Sequence, residues 1–131
     1  MFPDAQPTSS DVDRFILEEI DSVPHLEGLL LLWRSAPKHC TAEEISKQLY
    51  VPLNQASSIL DDLLRRGLVS RGSGGQAVVY DSGSDTRNRL IEAVDRTYRR
   101  ELIRISGMIH SKPSAGVRAF ADAFRFRKDR D

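Results

Sequence analysis

The chain has 131 residues, 40% of them hydrophobic, and its 19 basic side chains are balanced by 19 acidic ones. That length fits one domain with a real core and excludes two. The longest apolar run, Leu29 to Trp33, is far short of the ~20 residues that a membrane-spanning helix needs.

Residues 1–10 carry Pro3, Pro7, Thr8 and Ser9 and read as a flexible lead. Asp4, Asp11 and Asp13 break the basic-then-apolar order of a secretion signal. A single cysteine, Cys40, excludes an intrachain disulfide and suits a reducing cytoplasm. The spacing of Val12, Phe15, Ile16 and Ile20 predicts a helix from about Asp11 to Ile20. Ser22 is placed to cap a second helix, with Pro24 near its start where proline is tolerated. Leu26, Leu29, Leu30 and Trp33 supply its buried stripe, and Pro37 closes it.

The next segment is the most specific part of the chain. Thr41 and Glu44 have the spacing of a capping box, and Ile45 and Leu49 form the stripe of a short helix that Val51-Pro52 stops. Ala56, Ile59, Leu60, Leu63 and Leu64 share one face of a following helix, and Gly67 ends it. Leu68 to Arg71 and Ala77 to Tyr80 then pair as strands around Gly72-Ser-Gly-Gly75. Helix, tight turn, helix and hairpin in this order resemble a winged helix-turn-helix.

From Ser84 to His110, Leu90, Ile91, Val94, Tyr98, Leu102, Ile105 and Ile109 recur at spacings of three and four. The expectation is one long amphipathic helix over 84–110 that needs a partner for its stripe and dimerises the chain. Ser111-Lys-Pro113 breaks it. Residues 111–131 read as a basic tail with a short helix from about Ser114 to Arg127, carrying Val117, Phe120 and Phe124 on one face. Its arginines solvate a dimerisation helix, contact phosphates, or dock an acidic protein partner or lipid surface.

Over roughly residues 24–83, Thr41, Ile45, Leu49, Ala56, Leu60, Leu63 and Gly67-Leu-Val69 resemble the winged helix-turn-helix transcriptional regulators of bacteria, MarR-type proteins included. The resemblance implies a mainly α fold, residues 11–83 forming the winged domain with a small β-hairpin wing and flanking N- and C-terminal helices. It implies a dimer whose second motif helix enters the major groove of duplex DNA, and it makes Ser57 a groove serine and Ala56 the residue facing the first motif helix. Pro52 stands at a cap position where that family often has Ser or Thr, and Asp61 and Asp62 follow along the helix.

The residues themselves give a matching set of contacts. Asn54, Gln55, Ser57 and Ser58 lie at the start of the second motif helix, where Asn and Gln can read adenine and Ser can reach bases or phosphates. Arg65, Arg66 and Arg71, at the helix end and on the wing, are placed to grip backbone oxygens. Charge runs against a simple electrostatic grip. Residues 41–83 hold four basic and five acidic side chains, 1–40 hold three and seven, and 84–131 hold twelve and seven. The basic third is therefore not the motif.

Little points to catalysis. His25, His39 and His110 are scattered, and adjacent His39-Cys40 have poor spacing for shared metal ligation. Gly72-Ser-Gly-Gly75 lacks the Lys-Ser/Thr ending of a phosphate loop, and Asp61 and Asp62 point in different directions on one helix. They read as solvated charges. The sequence thus points to a cytoplasmic, dimeric DNA-binding regulator without metal or cofactor. Its alternative is a winged-helix module for protein–protein contact.

Overall fold

A computed structural model describes residues 6–72, 75–81 and 83–112. The element order is α1 (Ser9–Glu19), α2 (Val23–Ser35), α3 (Ala42–Leu49), α4 (Leu53–Arg65), β1 (Val69–Arg71), β2 (Val78–Tyr80), α5 (Asp85–Arg100) and α6 (Leu102–His110). The expected tail helix over 114–127 lies outside the described residues.

Helix α1 begins two residues before the sequence suggests. Thr8 Oγ1 accepts from the Asp11 amide at 3.1 Å, and Asp11 Oδ2 accepts from the Thr8 amide at 2.9 Å. This reciprocal cap satisfies two donors that a helix start leaves without partners. Residues 8–10, expected in the lead, therefore belong to the helix and its cap. Ser22 caps α2 as expected. Leu26, Leu29, Leu30 and Leu32 of α2 are fully buried, so this helix is the axis of the core. Gly28 allows its close packing on α4, since a Cβ there would sit 3.3 Å from Ile59 Cγ2.

The Thr41–Glu44 capping box of α3 is present. The helix ends one residue before Val51, at Tyr50, whose φ of 57° and ψ of 45° are left-handed. Ala56, Ile59, Leu60 and Leu63 of α4 are buried against α2 and α3. At its C-terminus the Leu68 amide bonds Leu63 O and the Gly67 amide bonds Leu64 O, both at 3.0 Å. Gly67 has a φ of 74°, so the helix closes in the turn that a glycine makes easily. The strands pair antiparallel, Val69 with Tyr80 and Arg71 with Val78. Cys40 adds a bridge to Val78, which ties the hairpin to the segment before α3.

The single helix expected over 84–110 is two helices. Glu101, with φ −131° and ψ 47°, separates α5 from α6. The bend turns Ile105 and Ile109 into the core, where α6 meets α1 and α2. Leu102 and Ile103 take the outside of the bend, and Ile103 is 87% exposed. Helical hydrogen bonds continue up to the break and resume after it, from the Glu101 amide to Thr97 O at 2.8 Å and from the Ile105 amide to Glu101 O at 3.0 Å. Arg104 fastens α6 to α1 through Asp13 at 3.1 Å.

Among the described residues, one charged side chain is inside. Asp95 of α5 has no exposed surface. It accepts from Arg34 Nε and Nη2 at 3.3 and 3.2 Å and from Arg99 Nε at 3.1 Å. Beside it, the Tyr98 hydroxyl donates to Glu27 Oε2 at 3.0 Å. Burial first, then this carboxylate, pushes the Tyr98 phenol up to about 12. No described helix is long and apolar enough to cross a membrane.

Candidate nucleic-acid interface

Helix α4 presents its polar face because its apolar face is occupied. Helical spacing turns Ala56, Ile59 and Leu60 inward, and Asn54, Gln55, Ser57 and Ser58 are all exposed on the other side. The structure brings these four together on the first two turns. Pro52 gives the helix no side-chain cap hydrogen bond. Asn54 Oδ1 substitutes in part, accepting from the Gln55 amide at 2.9 Å. A base contact by Asn54 therefore requires that this side chain swing away from the helix start.

Two large apolar side chains are exposed where the chain enters α4, and the sequence pattern does not reveal the first of them. Tyr50 is 94% exposed and Leu53 is 49% exposed. Periodicity assigns Tyr50 only to the end of a helix. Its left-handed backbone is what turns the ring out. An open cleft lies between α4 and the hairpin, lined by Glu43, Leu53, Ser57, Asp61, Arg71 and Gln76 among others.

The three arginines divide. Arg71 on β1 sits at the cleft with Asp61 3.7 Å away. Arg65 pairs with Asp62 and keeps 70% of its side chain exposed. Arg66, expected with them as a grip on phosphate, turns inward and is only 29% exposed. It reaches Asp21 at 2.8 Å, Glu19 at 3.5 Å and the Glu18 carbonyl at 3.1 Å. These carboxylates, Asp21 foremost, hold its guanidinium charged above the ordinary value. It fixes the end of α4 to the end of α1.

Asp62 is likewise not the solvated charge that its position beside Asp61 suggests. Successive residues on a helix point about 100° apart, and this turns Asp62 toward α2. Its Oδ2 lies 2.7 Å from His25 Nε2, and His25 Nδ1 lies 2.6 Å from Ser22 Oγ. Burial raises the Asp62 carboxyl, but hydrogen bonds from His25 and Arg65 outweigh it and hold it below its ordinary range. Ser22, His25 and Asp62 thus stand in the order of a nucleophile, base and carboxylate. Ser22 Oγ is already engaged as the α2 cap, accepting from the His25 amide at 3.3 Å, so the row braces a helix start. Asp21 completes a group with His25 and Asp62 whose ligand atoms lie within 4.8 Å of one another.

No protein-family model and no curated protein sequence matches the chain. Its backbone is similar to the crystal structure of MepR, a transcription regulator of the Staphylococcus aureus multidrug efflux pump MepA. The TM-score is 0.52 at 16% identity, covering 91% of this chain and 85% of that one. A MarR family protein from Bacillus stearothermophilus matches with a TM-score of 0.47 at 18% identity, over 92% of this chain and 82% of that one. The fold is thus a mainly helical winged helix-turn-helix. Its six described helices and two-stranded wing share their arrangement with MepR over most of both chains.

Proposed function

We propose that the chain is a DNA-binding transcriptional regulator that acts as a dimer, with α4 reading the major groove. The exposed row Asn54, Gln55, Ser57 and Ser58 on a helix rigidly seated by α2 and α3 carries this reading. In a winged helix-turn-helix this is the helix that meets base edges. Arg65 and Arg71 serve as phosphate contacts that set register without reading sequence. Arg66 contributes by seating α4. MepR, whose fold is similar, is a transcription regulator, and that role is carried to this chain as part of the proposal.

The dimer reading rests on apolar surface at the α5–α6 bend. Leu102 and Ile103 are exposed there, and Leu17 is exposed on neighbouring α1. Two copies joined through these helices present two α4 helices to two half-sites, as symmetric regulators do. The setting of such a protein is the cytoplasm.

A second reading is favoured by one observation. Glu43 and Asp61 line the cleft beside α4, and they repel phosphate. A winged-helix module that docks a basic protein surface would use the same face.

Genomic fragments recovered with the full chain separate the two. Enrichment of a defined set of sites, lost in Asn54→Ala/Gln55→Ala but only weakened evenly in Arg71→Ala, supports the regulator. Each lost bidentate base contact shifts site preference by about 1–3 kcal/mol. Recovery of no DNA together with one stoichiometric protein overturns it.

A further inference from the structure

Three side chains with metal-ligating atoms converge where the second half of α4 meets the α1–α2 junction. Asp21 comes from the α1–α2 junction, His25 from the first turns of α2, and Asp62 from the second half of α4. We propose that they bind one divalent transition-metal ion of the zinc, cobalt or nickel kind.

The imidazole separates this group from an ordinary patch of surface acids. Its ring is half-buried, and its orientation is fixed at both nitrogens. Nδ1 lies 2.6 Å from Ser22 Oγ, and Nε2 points at Asp62 Oδ2 2.7 Å away. Metal-binding histidines characteristically hold their second nitrogen in such a hydrogen bond, which sets the tautomer and aims the ring. One nitrogen and two carboxylates favour the zinc-to-nickel group over magnesium or calcium, which take oxygen ligands throughout.

The distances suit an ion with little rearrangement. Bonds from zinc to nitrogen or carboxylate oxygen are about 2.0–2.2 Å, so ligand atoms around one ion stand roughly 3.0–3.6 Å apart. The present spread of at most 4.8 Å closes by about an ångström when the Asp21 side chain rotates, giving up one of its two contacts with Arg66. The ion takes the place of the proton between Nε2 and Asp62. That proton moves to Nδ1, where Ser22 Oγ accepts it. A hydroxyl is both donor and acceptor, so Ser22 serves either tautomer. The open side at Asp21 leaves room for water as a further ligand.

Arg66 and Arg65 already engage Asp21 and Asp62. Their guanidinium groups orient the carboxylates and also oppose a second positive charge. Together with Glu19, the site sets three carboxylates against two guanidinium groups. Binding draws Asp62 toward Asp21 and so tightens α4 onto the α1–α2 junction.

The test is titration of the metal-free full chain with Co2+ and Zn2+, followed by calorimetry, cobalt absorption and melting temperature. One ion per chain, with nitrogen and oxygen ligation and a raised melting temperature, is expected. His25→Ala should weaken binding at least about tenfold, and Ser22→Ala by about tenfold through the lost orientation. Asp21→Asn, at an exposed position, and Asp62→Asn, which keeps an acceptor for His25, cover the case in which His25→Ala fails to fold. Both should also weaken binding, whereas His39→Ala and His110→Ala should not. No binding in the micromolar range by the unaltered chain overturns the proposal. So does equal affinity in well-folded Asp21→Asn and Asp62→Asn chains. None of these readouts involves DNA, so the outcome is independent of the proposed regulator role.

Discussion

Under the proposed function, Asp61→Asn is the substitution that most directly tests how α4 and the wing would meet DNA. Asp61 stands 3.7 Å from the Arg71 guanidinium, and both side chains are about half exposed or more. Two unit charges at about 4 Å in water interact by about 1 kcal/mol, and exposed pairs realise about that or less. In the free chain this pair adds little stability. On DNA its effect is larger in consequence, because Asp61 both holds Arg71 and faces phosphate with a like charge. Its replacement should strengthen binding by about 1 kcal/mol per half-site, roughly fivefold, and by about 25-fold for two half-sites. Each Arg71 freed to neutralise one phosphate should also steepen the plot of log affinity against log salt by about 0.9. Fluorescence anisotropy with duplex DNA across a salt series measures both quantities. The gain must also depend on Arg71, so most of it should vanish in an Arg71→Ala background. Unchanged affinity and slope, or the same gain without Arg71, would refute the argument that this pair governs the wing contact.

Three further outcomes are expected. Leu102→Glu/Ile103→Glu should give a folded monomer by sedimentation, because both side chains are exposed in the single chain; Val94 is fully buried, so charging it unfolds the protein instead. Removing both Arg34 and Arg99 leaves the Asp95 carboxylate buried without a cation, a loss of about 3–5 kcal/mol in urea unfolding, and either single substitution should cost markedly less. The Tyr98 phenol, raised to about 12 from an ordinary value near 10, favours the folded state below pH 10. That contribution is lost as pH climbs from 10 through 12, and one late-ionising tyrosine absent from Tyr98→Phe should appear in ultraviolet titration.

The features legible in the sequence are those that local rules fix. The Thr41–Glu44 box, the Ala56 to Leu63 stripe and Gly67 each involve residues within a few positions of one another, and all three stand where the spacing puts them. The exposed α4 residues were legible for the same reason. Arg66 and Asp62 were not, because their partners lie 45 and 37 residues away. Nothing in a helical repeat says which exposed charge another helix will meet. The break at Glu101 is hidden differently. Leu102 continues the apolar spacing of α5, so the repeat runs straight through a bend that only the packing of Ile105 and Ile109 on α1 and α2 requires. Asp95 reads as one more charge on an arginine-rich helix until Arg34 closes over it.

Tyr50 marks where this fold gives up stability that it could readily have. A left-handed backbone costs an ordinary residue about 1–2 kcal/mol, and a ring that is 94% exposed recovers none of it by burial. Glycine there should therefore raise the unfolding free energy by about 1 kcal/mol, even after its greater chain entropy is counted. Sequences drift toward such gains wherever nothing opposes them. The free chain has no use for an aromatic ring at the corner between α3 and α4. In a bound state, a surface laid against that corner would give the ring something to touch.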